Sequence, residues 1–465
     1  MAGSVGIREL SRALPRKVGS QKIEFDREDY ALRLQRLRER MSAAGLSHVL
    51  VFADREHFAN MEYLIGYDPR FEEALLLVSL EERLTLFVGN EGLGYAAALT
   101  LTIDLVLYQH FSLQGQPRQR LQPLADLLLQ AGLTARSTLG VIGYKYFLET
   151  ELPGAEHRYD LPSYVLEEIT AVVPAERMIN ATAILTGMPD GLRLCLQSAR
   201  EIAHYEYIAS RCSEKIRRML YAIKPGISEI ELSEAAGLDG LPQQVHAMIN
   251  FDEEHVSSGL RSPNDRRLRL GEVAGICLGP RGALVSRVGV ACYDEASLST
   301  ELAGSIAAFY QRHWRVVVSW YEQLQLGVSC GSIYADLEPE LQALGVSLNP
   351  GHYIAADEWV NAPFAKGSSV TLQSGNYLQS DIIASSVNPC RVSIMEDGAV
   401  LADLAMRTEL SEQYPECMAR IVERRAFMDE VLGIRLDEAV LPLSNLCGAY
   451  FPYLLDPTKV FTLVR

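Results

Sequence analysis

Three features that mark other classes of protein are missing from this chain of 465 residues. No segment approaches the roughly 20 consecutive apolar residues of a membrane span, and the N-terminal segment lacks the apolar core of a signal peptide. Basic residues are outnumbered, with 43 Lys and Arg against 59 Asp and Glu and a net charge of −16. We therefore expect a cytoplasmic protein that contacts no membrane and no nucleic acid, because phosphate binding needs clustered Lys and Arg.

Short cysteine spacings are missing as well. The eight cysteines contain no Cys-x-x-Cys pair, so they predict neither a metal site nor a disulfide framework. We expect reduced, mostly buried thiols. The one basic run, residues 33–40, has apolar residues threaded through it at near-helical spacing, which predicts a solvated helix face rather than a binding patch.

The order of sequence patterns predicts two domains, as the chain length does. Apolar strand-like runs at 48–52, 74–78 and 84–88 alternate with helical patterns, which predicts an α/β domain over residues 1–188. Glycines and a proline in 186–191 interrupt the periodicity and predict the boundary. Residues 189–465 combine long helices with short strands, so an α+β domain is expected there.

Several helices have clear signals. Ser228, followed three residues later by Glu231, predicts a capping box at a helix start. The periodic patterns predict helices over residues 26–44, 121–133, 198–222, 302–324 and 332–344.

A resemblance to a known family rests on segments in a fixed order. Asn60-Met-Glu-Tyr-Leu-Ile-Gly66 and the following apolar run resemble the N-terminal domain of the creatinase and aminopeptidase P family. Further segments resemble its catalytic domain; they are residues 196–202, 224–226, 351–352, 375–381 and 395–397. The resemblance extends from about residue 30 to 405. It implies a creatinase-type α/β domain (1–188) and an α+β catalytic-type domain of the pita-bread fold (189–465), usually in a dimer.

The resemblance also implies a set of metal ligands that this chain lacks in part. Peptidase members of the family hold two divalent metals with two Asp, one His and two Glu. Three late ligand positions correspond to His352, Asp381 and Glu396, but the two early aspartate positions read Cys277 and Arg287. A thiol and a cation in place of two hard anions disfavour a dinuclear centre. We therefore predict that the protein uses no metal and no other cofactor.

Each ionisable candidate has a structural alternative. His352 can titrate near neutral pH as an acid or base, or it can be a structural histidine bonded to backbone. Asp381 lies within an apolar strand and either faces the cleft or pairs with Arg287. Glu396 begins a Glu-Asp-Gly segment that can equally form a surface turn.

The remaining candidates concern the substrate. Creatinase is the family precedent for metal-free cleavage of a carbon–nitrogen bond, but the position of its general-base histidine reads Arg261 here. Arg261 and Arg287 are candidates for holding a substrate carboxylate, or they form ion pairs that replace the lost metal charge. We expect Trp359 to shape a pocket wall. Cys277 is interpreted as a small core residue rather than a nucleophile.

Three functional hypotheses follow. The leading one is a metal-independent creatinase-like hydrolase, a homodimer that acts on a C–N or similar bond of a small carboxylate-bearing compound. In it, His352 transfers protons while Asp381 and Glu396 orient water or substrate. The second is an inactive family member whose cleft binds a ligand or peptide. The third is an Xaa-Pro-type metallopeptidase.

Overall fold

The computed structural model describes residues 4–237, 239–346, 349–387 and 390–464, apart from the side chains of residues 387 and 390. These residues form two compact units. One is Glu24–Arg193, and the other combines the residues up to Ile23 with those from Leu194 onward. No helix within the described ranges has the length and apolar character needed to cross a bilayer.

The strands and helices are numbered in chain order. The strands are β1 Ser4–Glu9, β2 His48–Ala53, β3 Ala74–Ser79, β4 Leu84–Val88, β5 Asp104–Leu107, β6 Leu139–Ile142, β7 Met178–Asn180, β8 Gln243–Phe251, β9 Val273–Pro280, β10 Val285–Val290, β11 Gly351–Tyr353, β12 Tyr377–Val387, β13 Cys390–Leu401, β14 Val440–Pro442 and β15 Lys459–Val464. The α-helices are α1 Arg27–Ala43, α2 Ala59–Ile65, α3 Asn90–Ala96, α4 Leu124–Gln130, α5 Ser163–Thr170, α6 Ala183–Thr186, α7 Ala199–Ala222, α8 Glu229–Glu234, α9 Glu253–Ser257, α10 Thr300–Ser305, α11 Gln311–Gln323, α12 Cys330–Ala343, α13 Leu404–Gln413 and α14 Pro415–Phe427.

The unit Glu24–Arg193 is built on a mixed sheet with the strand order β5-β4-β3-β2-β6-β7. Strand β2 is antiparallel to β3 and parallel to β6. Its alternate residues enter two cores, with Val49 and Val51 on one side and Leu50 and Phe52 on the other. Burial of both faces explains the continuous apolar run in the sequence. The predicted α/β layer domain is confirmed.

Helix α1 begins as its sequence indicates. The Asp26 side chain accepts a hydrogen bond from the Asp29 N–H, and the Asp29 carboxylate accepts one from the Asp26 N–H, forming a capping box. Such a cap stabilises a helix by about 1 kcal/mol. Leu37 and Met41 are buried on the inner face of the helix. The helix predicted over 26–44 is therefore confirmed.

The second unit contains a larger antiparallel sheet. Its strand order is β11-β12-β13-β10-β9-β8, and β14 also pairs with β13. Helix α7 packs on β9 and β10, α11 packs on β12, and the short α9 lies against β8, β9 and β13. Strand β1 pairs with β15. This pairing joins the first residues to the second unit, so the observed division differs from the predicted 1–188 and 189–465.

Two helices of this unit begin where the sequence predicts, and one differs from its prediction. Ser198 accepts from the N–H of Glu201 at the start of α7, and Ser228 forms the predicted capping box with Glu231. The segment predicted as one helix over 302–324 consists of α10, a π turn at Ile306–Tyr310 and α11. A single π turn shifts the helical period locally, which a search for a 3.6-residue repeat does not detect.

Candidate active site

One row of side chains crosses four strands of the larger sheet. Cys277 on β9 pairs with Ser286 on β10, Ser286 pairs with Glu396 on β13, and Glu396 pairs with Asp381 on β12. Directly opposite residues of antiparallel strands point to the same face of the sheet. All four residues accordingly line one cavity of about 290 Å³.

His352 lies beyond the Asp381 end of this row, on strand β11. A Cβ atom at Gly351 would lie 2.9 Å from the Gln379 carbonyl oxygen and 3.1 Å from the Trp320 ring, so only glycine allows β11 to approach this closely. The His352 side chain is fully buried. Its Nδ1–H donates to the Tyr353 carbonyl oxygen at 3.1 Å, which leaves Nε2 free to face other groups.

Two carboxylates face His352 Nε2. The nearest oxygen of Glu358 is 3.3 Å away and that of Asp381 is 3.8 Å away. Glu358 reaches this position because residues 354–360 fold back over β11, where the Tyr353 N–H donates to the Asn361 carbonyl oxygen. These contacts give a histidine flanked by two acids.

Burial changes the protonation of these groups. It raises the pKa of Asp381 to about 6, although nearby His352 acts in the opposite direction. Burial, reinforced by the Asp381 carboxylate, raises the pKa of Glu396 well above its usual range. Burial acts to lower the pKa of His352, but contact with Glu358 and Asp381 outweighs it, and the pKa is raised. Protons can therefore balance the charges of this site near neutral pH.

Several polar atoms in the cavity wall have no hydrogen-bond partner among the described residues. Asp381 Oδ1 and Glu396 Oε2 accept no hydrogen bond from any described residue, and the two residues are 5% and 6% exposed. Asn250, also in the wall, has an unpartnered Nδ2. Much of the remaining wall is aliphatic and includes Val245, Met248, Leu284, Val288, Ile383 and Ile394. Unpartnered buried polar groups of this kind cost stability and often mark functional sites.

Arg287 does not lie where we predicted. Its neighbours Ser286 and Val288 line the cavity, and successive side chains of a strand point to opposite faces, so Arg287 points away from it. Its Nη2 lies 2.5 Å from Asp397 Oδ2, and its Nε donates to the Ala449 carbonyl oxygen at 2.8 Å. Arg287 therefore pairs with Asp397 rather than Asp381, and Ser286 occupies the position in the row that we had assigned to it.

Arg261 does not line the cavity either. It is exposed, whereas its neighbour Leu260 contributes to the cavity wall. Gly259 and Leu260 both have positive φ angles, so the chain turns sharply just before Arg261. The expectation that two arginines hold a substrate carboxylate has no support in the positions of these side chains.

The other predicted residues lie at or beside the cavity. Trp359 stacks on the His352 ring with the centroids 4.3 Å apart, so it orients the histidine rather than forming the cavity wall. Cys277 lines the cavity, but burial raises the pKa of its thiol well above the usual range. A thiol that stays protonated is a poor nucleophile and a poor metal ligand.

The donor set does not fit the two-metal centre that the family resemblance implies. Two divalent ions carry four positive charges, but Cys277 and Ser286 supply a protonated thiol and a hydroxyl where aspartates are expected. One ion is a separate case. Ligand atoms of His352, Glu358 and Asp381 lie within 4.8 Å of one another, a spacing that one metal ion can bridge.

Sequence reasoning missed two residues of the site. Glu358 was not among the predicted site residues, although its position six residues after His352 in a short loop indicates that the chain can return to the histidine. Ser286 was missed because the family pattern of ligand positions was aligned one residue too far along the chain, at Arg287, and a shift of one residue exchanges the two faces of a strand.

Comparisons with known proteins agree with this architecture. Residues 33–188 match the Creatinase/Prolidase N-terminal domain. The Xaa-Pro dipeptidase from Bacillus anthracis is similar in structure, with a TM-score of 0.60 and 14% identity over 80% of this chain and 94% of that chain. The prolidase from Pyrococcus horikoshii OT3 gives a TM-score of 0.60 and 14% identity over 80% of this chain and 95% of that chain. A variant of Escherichia coli aminopeptidase P gives a TM-score of 0.57 and 15% identity over 85% of this chain and 99% of that chain.

A comparison with curated proteins found no match. At these identities the structural similarity establishes the fold, which is the predicted creatinase type with an α/β N-terminal domain and a pita-bread domain.

Proposed function

Because the chain has the fold of the creatinase and aminopeptidase P family, with the matching N-terminal domain at residues 33–188, we propose that it is a hydrolase of a C–N bond that works by proton transfer without a dinuclear metal centre. The observation that carries this proposal is the pair of buried, unpartnered carboxyl groups of Asp381 and Glu396 in the cavity wall, backed by His352.

The two carboxyl groups have different tasks. Asp381, with a pKa raised to about 6 by burial, is largely ionised at neutral pH and accepts a proton from water. Glu396, whose pKa is raised well above its usual range by burial, retains its proton and donates it to the leaving nitrogen. The water oxygen bonds to carbon, the C–N bond breaks, and the nitrogen leaves with one additional proton. Groups whose environments separate their pKa values are suited to acid and base roles.

His352 acts through Asp381 rather than on the substrate. Its Nε2 lies 3.8 Å from the Asp381 carboxylate, and the histidine does not itself line the cavity. We propose that the imidazole exchanges protons with Asp381 between turnovers and holds the pKa of that carboxyl down. Contact with Glu358 and stacking on Trp359 keep the ring in place.

The positions of the arginines change the substrate that we propose. An Xaa-Pro dipeptide carries a carboxylate, which needs a cationic or strongly donating partner when it is buried. Among the described residues, neither Lys nor Arg lines the cavity. A small, largely apolar compound fits this cavity better than the carboxylate-bearing substrate expected from the sequence.

The test uses a turnover screen of small amides and amidines with apolar bodies, followed by the variant His352→Gln. Loss of a positioned proton-transfer group lowers rates by about 10²- to 10⁴-fold, so kcat should fall at least about a hundredfold while ligand binding persists. The acid limb of the rate profile should also move to higher pH, because the imidazole no longer lowers the pKa of Asp381. Near-normal kcat in this variant would refute the mechanism.

A second candidate is a hydrolase with a single metal ion at His352, Glu358 and Asp381, favoured by the spacing of their ligand atoms. Such an ion would polarise a substrate carbonyl or lower the pKa of water. Activity that is lost to a chelator and restored by one equivalent of metal would select this candidate. If nothing is turned over although a ligand binds, the inactive binding protein of the sequence hypotheses is selected instead.

We also propose a homodimer, on the basis of the family resemblance, and a location in the cytoplasm, on the basis of the sequence patterns. Light scattering should give a mass near twice the 51.6 kDa of one chain. A mass near that of one chain would contradict the dimer.

A further inference from the structure

The cavity combines an apolar body with one polar end. Aliphatic side chains such as Val245, Leu284 and Ile383 form much of its wall. The cavity volume of about 290 Å³ lies at the small end of the range for ligand sites. It therefore suits a compact apolar body such as one ring.

The polar end consists of two acceptors placed side by side. Asp381 and Glu396 are directly opposite on neighbouring antiparallel strands, and such residues have Cβ atoms about 5 Å apart. Each has one oxygen without a hydrogen-bond partner among the described residues. Two adjacent acceptors complement a planar group that presents two N–H donors in a fork.

The polar end also determines the sign of the ligand charge. Asp381, Glu396 and Glu358 all line the cavity, and no Lys or Arg does so among the described residues. The donors in the wall are neutral groups, namely Asn250, Ser286 and the Cys277 thiol. Hydrogen bonds from these groups do not offset the repulsion between a ligand carboxylate and buried carboxylates.

We infer that this cavity binds a compact apolar molecule that ends in a planar nitrogen cation, an amidinium, held by Asp381 and Glu396. The inference rests on the proposed function in taking this cavity as the substrate site, and it adds the class of ligand. The Asp381 carboxylate neutralises the cation, and Glu396, which keeps its proton, accepts a hydrogen bond through its other oxygen.

The test compares three molecules with the same ring and different ends, namely benzamidine, benzyl alcohol and benzoate. Isothermal titration calorimetry of the full chain at pH 7.5 should give at least about tenfold tighter binding of benzamidine than of benzyl alcohol, because its hydrogen bonds are charge-assisted and bidentate. Benzoate should bind more weakly than benzyl alcohol.

Two charge-neutralising variants distinguish an effect of the binding site on affinity from an effect of the overall charge of the protein. Asp381→Asn should weaken benzamidine binding at least about tenfold while changing the affinity for benzyl alcohol little. Glu412→Gln, which alters an exposed residue of α13, should leave all three affinities unchanged. Equal effects of the two variants on benzamidine binding would overturn the inference.

The binding test is distinct from the turnover test. If benzoate binds as tightly as benzamidine, or benzamidine does not bind at millimolar concentration, the ligand class is wrong even if another compound is turned over. If benzamidine binds as expected while no C–N compound is turned over, the ligand class stands and the proposed hydrolase activity fails.

Discussion

Two carboxylates that are adjacent in the chain have opposite environments. Asp397 lies on the side of the sheet away from the cavity, where its Oδ2 contacts Arg287 at 2.5 Å and accepts from the Gly448 N–H at 3.0 Å. Glu396 points into the cavity with an unpartnered Oε2, and burial raises its pKa well above the usual range. Both side chains are buried to a similar extent.

The difference lies in compensation rather than in burial. A buried charge with an ion-pair partner and hydrogen bonds is part of the structure, whereas a buried carboxyl group without them lowers stability unless a ligand or proton compensates it. The face with Arg287 and Asp397 therefore stabilises the sheet. The face with Glu396 and Asp381 is where we place the chemistry.

The largest expected effect is on the structural face. Arg287→Ala leaves Asp397 buried without its cation, and breaking a buried pair costs about 3 to 5 kcal/mol of unfolding free energy. Denaturant unfolding of the second unit measures this loss. The matched control is Arg312→Ala, which breaks the partly exposed pair with Glu340 and should cost about 1 kcal/mol or less.

Removing both charges sharpens this result. The double replacement of Arg287 by Met and Asp397 by Leu should lose much less stability than Arg287→Ala, because no uncompensated charge remains. Equal losses in the single and double variants would mean that the ion pair is not what distinguishes this face.

The next effect is a pH dependence on the cavity face. Below the pKa of about 6 to which burial raises Asp381, this carboxyl is protonated and the base is lost. The value of kcat/KM should then fall about tenfold per pH unit. The charges of His352, Glu358 and Glu396 act on Asp381, so the acid limb of the profile reports these interacting groups together rather than Asp381 alone. Asp381→Asn should abolish this fall in kcat/KM at low pH together with most of the activity. If the residual rate of the variant still falls at low pH, the pH dependence belongs to another group.

A smaller effect should appear in stability. At pH 7.5, Glu396→Gln should raise the unfolding free energy by about 1 kcal/mol or more, because it removes a buried carboxyl group that is costly to ionise. The folded-state pKa is raised, so the wild type loses stability as pH rises above the ordinary glutamate pKa. The advantage of the variant should therefore be small at pH 4 and increase toward neutral pH. A variant that is less stable at every pH would show that Glu396 is well compensated.

Much of the fold could be predicted from local patterns. Apolar runs predicted strands β2, β3 and β4, and the capping box of Ser228 and Glu231 predicted a helix start, because these signals lie within a few residues of one another. The order of His352, Asp381 and Glu396 indicated one site, and the structure places them together.

The remaining features depend on long-range register. Whether Ser286 or Arg287 faces the cavity depends on how β10 aligns with β9 and β13, and one residue of slip exchanges the faces. The contact between Glu358 and His352 depends on how a loop folds back over β11. The pairing of β1 with β15 joins residues more than 440 positions apart, and no local pattern specifies it.

The metal content of the active protein tests the central claim most directly. Elemental analysis of the purified chain, combined with turnover before and after chelation, distinguishes a proton-transfer mechanism from a metal-dependent mechanism at the same residues. We predict well under one equivalent of Mn, Zn, Co or Fe per chain and unchanged turnover in chelator, because Cys277 and Ser286 supply no anionic ligands. Two tightly bound equivalents, with activity that is lost to the chelator and restored by metal, would contradict the account.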